Sequence, residues 1–189
     1  MNFKEYIERH LFVVGKLNES LELEIANAIQ LIYETIRSGH KILICGNGGS
    51  AADSQHFAAE LICSLDHSIK RKGFAAISLA TDTSVITAQA NDFSFDEVFS
   101  RQIEALGREA DLLIVFSTSG ESSNIQKAIE AAHNSNLKVI SFTGKNGISK
   151  HRNEIELRVP SQDTQVIQEC HVVLYHFISL QVEMLAARI

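Results

Sequence analysis

Lys41-Ile42-Leu43-Ile44-Cys45-Gly46-Asn47-Gly48-Gly49-Ser50 decides the fold. A short apolar run ends in a glycine-rich turn, and helical spacing starts directly after it. Such an unbroken run, too short for a helix, reads as a strand buried on both faces. The same unit recurs where the run 112–116 leads into Ser117-Thr118-Ser119-Gly120-Glu121-Ser122 and a further helical segment. Strands are expected at 41–45, 75–79, 112–116, 138–142 and 155–159, separated mostly by segments of helical period. That alternation predicts an α/β fold with a parallel sheet covered by helices on both faces.

Working outward, residues 2–17 and 19–37 carry helical apolar spacing, the second through Leu23, Ala26, Ile29, Ile32, Tyr33 and Ile36, with Gly39 placed to end it. After Pro160, the only proline, residues 164–187 again read as helix. No repeat, low-complexity tract or linker divides the chain, and 189 residues can bury a core without staples. One domain is expected over 1–189, with N-terminal helices at 1–38, an α/β core at 39–163 and a C-terminal helix at 164–189.

Apolar residues make up 45% and charged residues 21%, which excludes wholesale disorder. A net charge of -6 and the short basic run Lys70-Arg71-Lys72 argue against a nucleic-acid partner. No secretion signal or membrane-spanning stretch is expected. Cys45, Cys63 and Cys170 lack a paired motif and are read as reduced packing residues, which suits a cytoplasmic location.

In open α/β sheets ligands collect beyond the carboxyl ends of strands, where glycine admits close backbone approach and helix N-termini offer unpaired N–H groups. Both loops sit there. Ser117, Thr118, Ser119 and Ser122 add hydroxyl donors suited to a phosphate, with no P-loop lysine motif. Composition alone leaves turns and helix caps as an equal reading. Glu121 would repel an anion and is expected to face solvent. His56 and Glu60, four apart on the helix opening at the first loop, share one face, where Glu60 could move a proton from carbon or the pair could ligate a divalent metal. Most such pairs are plain surface contacts. On the last helix His171 and His176 point about 140° apart and must have different partners. Gln168 and His176 lie on more similar headings but stand about 12 Å apart along the axis, so one small metal could reach both only by full extension from one helix, a strain that copies from two subunits would relieve. Single histidines, including His10, His40, His67, His133 and His151, are read as packing or surface residues.

Taken together, 45–50, His56 through Leu61, Asn91-Asp92, 99–102, 117–120, Thr143-Gly144-Lys145, Val159-Pro160 and 167–169 with His171 and His176 closely resemble the sedoheptulose-7-phosphate isomerases of the sugar isomerase (SIS) family. The resemblance implies a flavodoxin-like three-layer sandwich with a five-stranded parallel sheet, helical extensions at both ends, and a homotetramer with active sites between subunits. It implies conversion of D-sedoheptulose 7-phosphate to D-glycero-D-manno-heptose 7-phosphate, toward the heptoses of lipopolysaccharide or capsule. By position, Glu60 matches the general base and His176 the general acid. Ser50, Ser117, Thr118, Ser119 and Ser122 match phosphate contacts. Asn47, Asp82, Gly48, Gly49, Asn91, Asp92 and Gln168 match the substrate-binding surroundings, and His56, Glu60, Gln168 and His176 match a zinc site. The family's arginine after the Glu60 turn is replaced by Ser64, which leaves open a related phosphosugar or a basic substitute among Lys70, Arg71 and Lys72. A non-catalytic relative that binds a replication initiator shares the pattern but lacks the acid and base. A phosphosugar-sensing regulator would need a DNA-binding domain for which 189 residues leave no room.

Overall fold

The computed structural model describes residues 1–151 and 153–187. Arg188 and Ile189, the end of the expected 164–189 helix, lie outside the described residues. In chain order the elements are α1 (Phe3–Ser20), α2 (Glu22–Arg37), β1 (Ile42–Gly46), α3 (Gly49–Ile62), β2 (Ala76–Ser78), α4 (Thr83–Asp92), a 3-10 turn (Phe95–Glu97), α5 (Ser100–Leu106), β3 (Leu112–Ser117), α6 (Ser123–Asn134), β4 (Lys138–Thr143), β5 (Ile155–Arg158) and α7 (Thr164–Ala186). Every expected strand is present within a residue or two of its expected ends. The first helix does not stop at 17. Val13, Leu17 and Leu21, spaced four apart, extend its buried stripe, and the break falls at Leu21. Asn2 opens α1 as a capping box with Glu5.

The five strands are all parallel, in the order β2-β1-β3-β4-β5. This is the flavodoxin order, and its topological switch point lies between β1 and β3. Strand residues alternate between two cores. Ile42, Ile44, Leu112, Ile114, Phe116, Ile140 and Phe142 face a layer that includes α2, α3 and α7, while Leu43, Cys45, Leu113, Val115 and Val139 face α5 and α6. Helices α2 and α3 both pack on α7, so the terminal helices complete one face of the sandwich. None of the helices among the described residues is long and apolar enough to cross a membrane. Cys45 and Cys170 are buried as expected, but Cys63 is exposed, because it is the C-cap residue of α3, just past the helix's last turn.

Candidate active site

The two loops meet at the switch point. After β1, Gly48 takes φ +57, and Gly46 lies so close to α3 that an added Cβ would stand 2.4 Å from the Ser50 carbonyl oxygen. After β3, Ser117 Oγ accepts from the Gly120 amide at 3.1 Å and Ser119 Oγ from the Glu121 amide at 3.2 Å. Ser122 opens α6 without a side-chain capping bond, leaving its hydroxyl free to turn toward a ligand beside the helix's first-turn N–H groups. Glu121 is exposed, yet it also stands on the wall of the cleft that opens there. A cleft of 210 Å³ opens against this loop, lined by Thr118, Ser119, Glu121, Lys145 and Ser161 among others, so Lys145 brings a cation to its wall. Larger hollows of 440 and 560 Å³ are not lined by the 117–122 loop.

The loops are tied to each other. Asn47 Nδ2 donates to Asn124 Oδ1 at 2.8 Å, and Asn124 Nδ2 returns a bond to Asn47 Oδ1 at 2.9 Å. Asn124 is buried, and this reciprocal amide pair bridges the crevice between α3 and α6.

Along α3, one turn of helix brings His56 over Glu60, with His56 Nε2 3.0 Å from Glu60 Oε1. From α7, His176 Nε2 arrives 3.4 Å from His56 Nε2. Ligand atoms of His56, Glu60 and His176 all lie within 4.8 Å of one another. Two ring nitrogens so close beside a carboxylate are satisfied either by a proton shared between them or by a cation accepting their lone pairs. The Tyr175 hydroxyl sits 2.8 Å from His56 Nδ1 and can accept a proton there, which would leave the His56 Nε2 lone pair facing the cluster. Burial, and then His56, lower the His176 pKa against the opposing pull of Glu60, so this imidazole is neutral at pH 7. One turn before His56, Asp53 is buried with Oδ2 unpartnered, and burial pushes it up to about 6 although His56 opposes the shift.

The other expected residues fall as follows. Ser50 is buried on the first turn of α3. Gln168 lies against that same turn: a Cβ on Gly49 would stand 2.5 Å from Gln168 Nε2. Asp82, just beyond β2, caps α4 by accepting from the Val85 amide at 3.0 Å. Asn91 and Asp92, at the far end of α4, are exposed and bond to each other at 2.7 Å. His171 points away from this group into the core, as its heading required. Arg71 does not replace the arginine missing at Ser64. It is buried against Glu183. Asn124, Tyr175, Asp53 and Arg71 were not singled out for these places by the sequence. Only Asp53, three residues before His56, stood at a spacing that could have flagged it.

A family profile described as SIS domain matches residues 5–144. The chain is 47% identical over 176 residues to a phosphoheptose isomerase of Helicobacter pylori strain P12, covering 93% of this chain and 90% of that one. It is 48% identical over 163 residues to a phosphoheptose isomerase of Shewanella halifaxensis, covering 84% and 82%. Its fold matches the solved phosphoheptose isomerases of Neisseria gonorrhoeae, with TM-score 0.89 and 38% identity, and of Francisella tularensis, with TM-score 0.91 and 36% identity. Each match covers 96% of both chains.

Proposed function

The chain belongs to the phosphoheptose isomerases of the SIS-domain family, and from that membership we propose that it interconverts D-sedoheptulose 7-phosphate and D-glycero-D-manno-heptose 7-phosphate, at the start of heptose biosynthesis. The observation that carries this reading is the approach of Glu60 and His176 beside a hydroxyl-lined anion loop across the switch point. The phosphate is held by Ser117, Thr118, Ser119 and Ser122, with Ser50 on the facing helix, and the sugar chain runs toward α3. Glu60 takes the proton from C1 and returns it to C2. Neutral His176 offers its N–H to O2 and receives the O1 proton in exchange, so the enediol forms and collapses with no net gain or loss of protons. Both groups are present, which separates this chain from the non-catalytic relative.

His56, Glu60 and His176 supply an N,N,O donor set of the kind zinc accepts, with His56 oriented by Tyr175; Gln168, about 12 Å along α7 from His176, would complete the proposed set where a neighbouring copy supplies one of the two. Zinc, when bound, would polarise the substrate's carbonyl oxygen as a Lewis acid while competing with free proton shuttling by Glu60 and His176. Exposed Val173 and Phe177 flank His176 on α7 and support a homotetramer in which a neighbouring copy closes each site, with Asp82, Asn91 and Asp92 completing its substrate-binding surroundings. The packing of α2 and α3 on α7 supports reading 1–189 as one SIS unit. The free thiols suit a cytoplasmic enzyme.

The test is turnover of sedoheptulose 7-phosphate followed by NMR. Glu60→Gln and His176→Gln should each reduce kcat by roughly a hundredfold or more while leaving assembly intact. Near-parental turnover in either variant removes that residue from its role.

A further inference from the structure

We propose that Arg71 and Glu183 are a positioning pair that fixes the spacing between Glu60 and His176; this rests on the reading of those two residues as base and acid. The segment that follows α3 carries Arg71, and α7 carries Glu183, with side chains 3% and 0% exposed. A guanidinium has five N–H donors, and here the contacts match that number. Nε and Nη2 donate to Glu183 Oε1 at 3.0 and 2.5 Å, Nη2 also to the Glu60 carbonyl at 2.8 Å, and Nη1 to the carbonyls of Leu61 at 2.9 Å and Lys72 at 3.1 Å. Glu183 further accepts from the Leu65 and Asp66 amides at 2.9 and 3.1 Å.

Two consequences follow from this arrangement. Arg71 closes the carbonyl end of α3 at the residue that bears the base, and its carboxylate partner stands about 10 Å, two helical turns, along α7 from His176. Helix α7 therefore carries one reacting group and one end of the pair, while the other end, on the segment after α3, is bonded to the α3 carbonyls of Glu60 and Leu61. A buried ion pair contributes little net stability, since well-packed apolar residues in its place do as well or better. What it supplies is a planar, forked geometry that two apolar side chains cannot impose.

Arg71→Lys keeps the charge opposite Glu183, but an ammonium cannot reach the carboxylate and both helical carbonyls in one plane. Glu183→Gln keeps the shape and weakens the fork. In each variant kcat should fall on the order of ten- to a hundredfold. KM should stay within about threefold, because the phosphate loop lies at the end of β3, away from the pair. Glu60→Gln is run in parallel, and the thermal midpoint of each variant shows that it is folded. Parental kcat in a folded Arg71→Lys or Glu183→Gln enzyme, with Glu60→Gln inactive, overturns the positioning role alone. A rise in KM at constant kcat overturns it equally. Turnover by Glu60→Gln overturns the base assignment and the pair's role with it. If Arg71→Lys does not fold, Glu183→Gln carries the test.

Discussion

Replacing His171 with glutamine should remove most of one acid-sensitive component of the protein's stability. His171 is fully buried, with ring centroids 5.6 Å from Phe116 and 5.8 Å from Phe142. Its Nε2 lies 3.3 Å from the Thr143 carbonyl, so the proton sits on Nε2, and Nδ1 is buried without a partner. Burial lowers its pKa from 6.5 to about 4, against the opposing bond to Thr143. An unfolded chain takes up this proton near 6.5 and the folded chain only near 4. Stability from His171 is therefore complete above the unfolded value and is lost as the pH falls toward the folded one. Integrating the difference in proton uptake gives a loss of about 2.5 kcal/mol by about pH 4.5. Glutamine keeps an N–H for Thr143 and binds no proton. Urea unfolding of both proteins at one concentration, between neutral pH and about pH 4.5, isolates this component, since carboxylates elsewhere titrate alike in both. The His171→Gln variant should lose about 2.5 kcal/mol less than the parent. Equal losses, within about 0.5 kcal/mol, would refute the buried-neutral assignment.

Gly120→Ala forces an L side chain onto φ +72, with its Cβ 1.7 Å from the Gly147 carbonyl oxygen, and should cost at least about 2 kcal/mol in a denaturant titration, together with weaker phosphate binding. Asn124→Ala leaves the Asn47 amide unpaired in the crevice; KM for the seven-carbon substrate should rise about tenfold, and preference over shorter sugar phosphates should fall, both measured by steady-state kinetics. Tyr175→Phe removes the hydroxyl that orients His56, and calorimetric zinc titration should show affinity reduced about tenfold, with unchanged affinity counting against the metal site.

Local pattern carried the architecture because each strand is a short run buried on both faces, between segments whose period differs from its own. The missed helix break at Leu21 shows the limit of that pattern: the apolar spacing was read as ending at 17 and restarting at 19, but the burial of Leu17 and Leu21 carries the first helix on to Ser20. At the site, His56 and Glu60 were legible because i, i+4 spacing is itself a contact. His176 entered through resemblance, since it meets His56 across 120 residues of chain. Asn124 reaches Asn47 over 77 residues, and Glu183 reaches Arg71 over 112. No periodicity encodes partners at such separations. Basic character near 70–72 suggested a substrate contact, whereas the fold turned Arg71 inward, where its guanidinium found helix carbonyls and a buried carboxylate.

The paired amides of Asn47 and Asn124 give the molecule a gauge. They hold the loop that leads into α3 and the first turn of α6 at one separation, so that in the proposed mechanism the distance from phosphate to carboxylate would be set by the protein rather than left to the ligand. On that reading a sugar with too few carbons would present the wrong bond to Glu60. Length selection can thus reside in a contact that need not touch the reacting carbons.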